Sequence, residues 1–162
     1  MSPSIVDSTT KILINDEGYS ETPYLDSKGN YTIGVGHLIG KLLSELKLSR
    51  SVIEFMLREQ IDICIKELIE IFGIDDFYSW QEPRQVALIS MIYTLGKSRF
   101  LSFQKMIHAI KLAQWKAAAN QCLMSKWAID VDPQQRPGIG RDDRVAYMIR
   151  EGKFHEIYKI DS

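Results

Sequence analysis

The sequence predicts a mainly helical α+β protein: a small β-hairpin lobe joined by a long helix to a larger helical lobe. Three observations carry this. One turn-rich, β-prone stretch, NDEGYSETPYLDSKGNYTIGVGH, stands near the N-terminus between Asn15 and His37. Beyond Ser49 the apolar residues recur with helical spacing, in segments punctuated by glycine and proline. One such segment, Arg50 to Phe72, is long enough to bridge two lobes. A chain of 162 residues fits one domain. At that size it buries roughly 70% of its extended surface and needs no staples.

The first helix is expected over residues 3–17. Ser2 followed by Pro3 reads as an N-cap with proline at the first helical position. Ile5, Thr9, Ile12 and Leu13 share a face, and Gly18 stops the helix. Glu17 then sits at the negative end of the helix dipole. The small lobe follows over about 18–48. Pro23-Tyr24-Leu25 and Tyr31-Thr32-Ile33 are β-prone, and Ser27-Lys28-Gly29-Asn30 between them is a turn cluster. Gly34, Gly36 and Gly40 mark tight backbone after it.

Ser49 is expected to cap the linking helix, about 49–72. Its apolar positions (Val52, Ile53, Phe55, Met56, Ile61, Ile63, Cys64, Ile65, Leu68, Ile71 and Phe72) cover more than one stripe. That pattern predicts burial over much of the helix surface. The helical lobe takes about 73–162. Residues 73–79 read as a loop. A core helix begins near Pro83, is nearly all apolar from Val86 to Leu95, and ends at Gly96. FLSFQKMIHAIKLA and WKAAANQCLMSKW each read as one amphipathic helix, DVDPQQRPGIG as a loop, and RDDRVAYMIREG as a last helix closed by Gly152. No internal repeat or low-complexity tract interrupts this order. Trp80, Trp115 and Trp127 are expected in packing roles.

Composition narrows the partners. With 20 basic and 21 acidic residues the net charge is −1, which disfavours nucleic acid as a partner. No apolar run reaches the ~18 residues of a membrane span, so no stable membrane insertion is expected. The N-terminal stretch lacks the basic start and apolar core of a signal peptide, which predicts synthesis as a soluble cytoplasmic chain. Cys64 and Cys122 read as buried, reduced thiols; spacing alone does not exclude a disulfide between them. Two cysteines and the separated His37, His108 and His155 supply no metal-ligand set, so neither metal nor cofactor is expected. His37 reads as a structural histidine closing the glycine-rich turn.

One constellation can carry chemistry. Glu17 ends a helix, Asp26 follows eight intervening residues later, and Thr32 follows after five more. A helix end facing a hairpin places two carboxylates on opposite walls of one gap. Glycoside hydrolysis needs one carboxylic acid for the leaving oxygen and one carboxylate for the water or the anomeric carbon. A hydroxyl such as that of Thr32 both donates and accepts, and so can orient the water. A Glu, an Asp and a Thr near a solvated hairpin also occur with no catalytic role, and spacing does not separate the two readings.

The residues carry a resemblance beyond spacing. The Glu17, Asp26, Thr32 series followed by YTIGVGH is similar to the active-site signature of the phage-type lysozymes, a glycoside hydrolase family of muramidases and endolysins. PRQVALISMIYTLG resembles that family's core helix, SKW ending at Trp127 its Ser-basic-Trp segment, and GRDDRVAYMIREG its closing helix. The resemblance implies a lysozyme-like fold and a monomer acting on peptidoglycan glycan strands. It makes Glu17 the general acid, Asp26 the carboxylate serving the water, and Thr32 the group that holds the water. Inversion would follow, with carboxyl groups roughly 6.5–9.5 Å apart.

The resemblance places Arg141 beside the catalytic Glu, pairs Asp16 with Arg144, and sets Ser90 and Thr94 where the family lines its cleft with polar side chains. It pairs the counterpart of His37 with an acid on the long helix, for which the nearest candidate here is Asp62, one position out of register. The stretch between His37 and Ser49 is short for the family, which implies a trimmed small lobe. Near-neutral charge departs from a usually basic family and implies weaker wall binding. Action on periplasmic or cell-wall peptidoglycan would then require release or delivery. Two other functions remain open: a peptidoglycan-binding scaffold with little catalysis, and hydrolysis of another N-acetylated glycan such as chitin.

Overall fold

The computed structural model describes residues 4–26, 29–39, 47–134 and 136–160. The first helix, α1, runs Ile5–Glu17 and is capped by Ser4, whose hydroxyl accepts the Asp7 amide proton at 3.2 Å. The expected cap at Ser2 and Pro3 lies outside the described residues. Ser8, Thr9, Ile12 and Leu13 form the buried face, and the Gly18 amide closes the helix on the Ile14 carbonyl.

The small lobe is a three-stranded antiparallel sheet, a correction to the two-stranded hairpin. β1 (Ser20–Leu25) pairs with β2 (Tyr31–Gly34), and β2 pairs with β3 (His37–Leu38). The register sets Tyr24 against Thr32 and Leu25 against Tyr31, with an irregularity between Ser20 and Tyr24. Pro23, which has no amide proton for a ladder, falls in that irregular part. Strand β3 is two residues long, too short for alternation to reveal it. The reversal before it needs glycine: Gly34 has φ +68°, and a Cβ there would approach Ile53 to 2.9 Å. Ser27, Lys28 and Gly40 lie outside the described residues.

The linking helix, α2 (Arg50–Phe72), has 23 residues and spans about 34 Å. Burial on it is confined to one stripe, Ile53, Leu57, Ile61, Cys64, Leu68 and Phe72, which lies on α1 and α4 (Glu82–Leu95). Val52, Phe55 and Ile63 face solvent, so the broad burial expected from apolar count does not occur. Residues read as a loop form a short helix, α3 (Ile74–Ser79). Its first turn carries Asp75 and Asp76, favoured at a helix N-terminus, and Phe77 anchors it in the core.

α4 is the centre of the helical lobe. Pro83 stands in its first turn, and every residue from Gln85 to Ile92 is buried. It packs on α1, α2 and α9 (Arg141–Glu151). FLSFQKMIHAIKLA, expected as one helix, is helical over α6 (Gln104–Lys111), while its Phe100 ends a separate short helix, α5 (Lys97–Phe100); WKAAANQCLMSKW is broken between α7 (Trp115–Leu123) and α8 (Lys126–Val131). Ser125 makes that break. Its hydroxyl donates to the Cys122 carbonyl at 2.6 Å, ending α7, and accepts the Ala128 amide at 3.2 Å, starting α8. After α9 the chain returns to α1 through a 3-10 turn, Glu156–Tyr158.

Cys64 and Cys122 are buried, free thiols. Burial, helped by the Glu67 charge, pushes Cys64 up to about 12, and burial likewise raises Cys122. Trp80 meets Phe72 and Trp115 edge-on at 5.1 and 5.5 Å, and Trp127 is buried. Among the described residues no helix is long and apolar enough to cross a membrane.

Candidate active site

The end of α1, the turn after β1, the end of α4 and the start of α9 surround one cleft of about 490 Å³. Asp16, Glu17, Asp26, Thr94, Arg141 and Arg144 line it, and the α8 end and following loop close it with Asp130, Val131 and Arg136. A larger groove, about 1050 Å³, crosses the helical lobe past Phe103, Gln121 and Met124. Its lining holds a single acid, Asp130, so carboxylate chemistry belongs to the smaller cleft.

Gly18 ends α1 and delivers Glu17 to the cleft rim. Arg141 Nη1 donates to Glu17 Oε1 at 2.8 Å, and the Thr94 hydroxyl lies 3.2 Å from the same oxygen. Thr94 Oγ1 accepts from Arg141 Nη2 at 2.8 Å, and its one proton goes either to Glu17 or to the Ser90 carbonyl at 2.9 Å. Both contacts converge on Oε1, so Oε2 is the oxygen of Glu17 left for a ligand among the described residues.

Behind Glu17 lies a buried charge cluster. The Asp16 side chain is fully enclosed. Arg144 Nη2 donates to its Oδ1 at 2.6 Å, Tyr158 donates its phenol proton to Oδ2 at 3.1 Å, and Arg141 Nε lies 3.3 Å from Oδ2. Arg144 Nε in turn donates to the Tyr158 oxygen at 2.9 Å, and burial pushes that phenol up to about 12. Arg141 is therefore fixed from behind by Asp16 and presents Nη1 to Glu17. A buried charge with several partners repays its desolvation only in such a network.

Asp26 stands on the opposite wall, just past β1. Its Oδ1 accepts the Asn30 amide at 2.8 Å and its Oδ2 the Asn30 side-chain amide at 3.3 Å, which locks the carboxylate into the turn. Thr32 is buried on β2 behind Asp26, and its hydroxyl donates to the Tyr24 carbonyl at 3.2 Å. It does not line the cleft wall itself.

One sequence expectation requires correction. Ser90 is fully buried and its hydroxyl faces Arg141 Nη2 at 3.4 Å, so it backs the arginine and is out of a substrate's reach. His37 makes no ion pair with Asp62 among the described residues; its ring sits against the Met56 backbone of α2, and burial holds it below its usual range. Sequence reasoning also missed Tyr158, Asp132 and Arg136. Tyr158 left no local signal, since Asp16 lies 142 positions away. Asp132 and Arg136 lie in a polar, proline-bearing stretch that reads as solvated loop. No group of three or more metal-ligating side chains occurs among the described residues.

A small sheet and a larger helical lobe flanking a cleft of opposed carboxylates and clustered arginines define a lysozyme-like α+β protein. The phage lysozyme family model matches residues 15–141, which spans the cleft from Glu17 to Arg141, and the chain belongs to that family. At family level it is a glycoside hydrolase acting on peptidoglycan. It is 27% identical to a probable T4-type lysozyme 2 of Dictyostelium discoideum, covering 76% of this chain and 86% of that one. A probable T4-type lysozyme 1 of the same organism is 25% identical over 91% of this chain and 96% of its own. The pre-baseplate central spike protein Gp5 of Enterobacteria phage T4 is 28% identical over 95% of this chain, but only 29% of the spike protein.

Proposed function

We propose that this protein is a muramidase that cleaves the β-1,4 bond between N-acetylmuramic acid and N-acetylglucosamine, with inversion. One observation carries the reading: Glu17 and Asp26 face one cleft from different lobes, and Glu17 is gripped at a single oxygen. Arg141 and Thr94 hold Oε1, so Oε2 carries the proton that goes to the glycosidic oxygen. Asp26, braced by Asn30, takes a proton from the water attacking the opposite face of the sugar. Thr32, buried with its proton on the Tyr24 carbonyl, pins β2 to β1 and so supports the wall on which Asp26 stands. Charge developing on the sugar ring is met by the Asp26 carboxylate. The protein works as a monomer on glycan strands and reaches the wall by release or delivery.

The test is release of reducing ends from purified Gram-negative sacculi by the wild type and by Glu17→Gln. The substitution keeps the side-chain shape and an acceptor for Arg141 but removes the acid. Activity is expected to fall by at least about a thousandfold, or roughly 4 kcal/mol of barrier, with binding to sacculi retained. Full activity in the variant would remove Glu17 from the acid role. If neither protein releases ends while both bind, the scaffold reading stands instead.

A further inference from the structure

The cleft holds three arginines, and their partners differ. Arg141 is engaged by Glu17, Thr94 and Asp16, and Arg144 by Asp16, Tyr158 and the Ile139 carbonyl. Among the described residues, Arg136 is held along one edge. Its amide donates to Asp132 Oδ2 at 2.6 Å and its Nε to Asp132 Oδ1 at 2.9 Å. Both Nη groups of Arg136 make no hydrogen bond among the described residues, and its side chain is 49% exposed on the cleft wall.

The clamp itself is buried and tightly packed. Asp132 is 1% exposed, and hydrogen bonds from Arg136 outweigh its burial and hold its carboxyl below the usual range. Gly140 packs so closely on it that a Cβ there would overlap Asp132 Oδ2. The neighbouring acid on the wall, Asp130, is occupied by Lys126 at 2.8 Å and does not compete for Arg136. The result is an oriented guanidinium with its free fork toward the substrate. Such a fork matches a carboxylate, and it gains nothing comparable from a neutral sugar hydroxyl.

We propose that Arg136 is a specificity-determining residue that reads a carboxylate carried by the glycan, and so selects the acidic, peptide-bearing polymer over neutral N-acetylated glycans. This rests on the muramidase reading and names the feature of the substrate that the cleft recognises. Peptidoglycan carries such groups on the stem peptides attached to alternate sugars; chitin carries none.

The experiment compares soluble, uncross-linked peptidoglycan strands with the same strands after carbodiimide coupling to ammonia, which turns carboxylates into amides. Wild type is expected to show a KM about tenfold lower on native than on amidated strands, the value of one charge-assisted contact, with little change in kcat. Arg136→Gln should lose that preference, and Arg136→Lys, which keeps the charge, should retain part of it. A wild-type preference in Arg136→Gln, or equal loss in both variants, overturns the assignment, the latter by pointing to collapse of the loop. If wild type cleaves neither strand, the muramidase reading fails. Calorimetric titration of wild type and Arg136→Gln with the two strands then decides Arg136 alone. A native-strand preference in wild type that the variant lacks supports it, and equal affinities overturn it.

Discussion

At the scale of single residues, the pattern Glu17, Asp26, Thr32 named the carboxylates that face the cleft, because their positions follow from where a helix ends and a strand turns. Ser90 and His37 were less legible. A hydroxyl on an apolar helix reads the same whether it faces solvent or an arginine. The partner of His37 depends on how the sheet lies on α2. That burial has a pH consequence. The fold favours neutral His37, so its folded value is below the ordinary ~6.5 of the unfolded chain. Its contribution is present above that unfolded value and is lost as pH falls toward the folded one. Thermal melts should therefore drop in Tm from pH 7 to pH 5, and His37→Gln should flatten that slope. An unchanged slope in the variant would assign the acid sensitivity elsewhere.

At the scale of elements, the helices with a clear apolar period and a glycine stop were legible, and those set by local capping were not. α3 was missed because six residues give too little periodicity, although its acidic first turn was a readable signal. The break between α7 and α8 rests on one serine hydroxyl that serves both ends. α2 misled by composition, because Val52, Phe55 and Ile63 are apolar yet exposed. α4 is the element on which the rest packs. Leu88 is fully buried there, and Leu88→Ala should cost about 3 kcal/mol and lower Tm by roughly 6–12 °C. Denaturant titration and a thermal melt check this. A loss below about 1 kcal/mol would mean that the surrounding helices close over the gap, and that α4 is not a rigid centre.

At the scale of the molecule, Asp16 ties the first helix to the last helix and to the closing turn. Its two arginines divide the labour: Arg144 binds Asp16 to Tyr158, and Arg141 reaches past it to Glu17. Asp16→Asn removes the carboxylate that half-buried Arg144 pairs with and that buried Arg141 shares with Glu17, and should destabilise the fold by about 3 kcal/mol. Because Arg141 is shared, kcat measured well below the melting temperature should fall several-fold as well. Lost stability with wild-type kcat would show that Arg141 holds Glu17 without help from Asp16. The sequence by itself determined the helical character, the early β-prone lobe and the long connector, because each depends on residues near one another in the chain; the catalytic candidates came from the family resemblance, since spacing alone left them open. The tertiary structure decided which cation serves which acid, that Ser90 lies behind the site, and that Arg136 faces the cleft. Arg141 and Glu17 are 124 positions apart, and no local period encodes a hydrogen bond at that separation. It exists only because α1, α4 and α9 pack into a common core that brings their ends together.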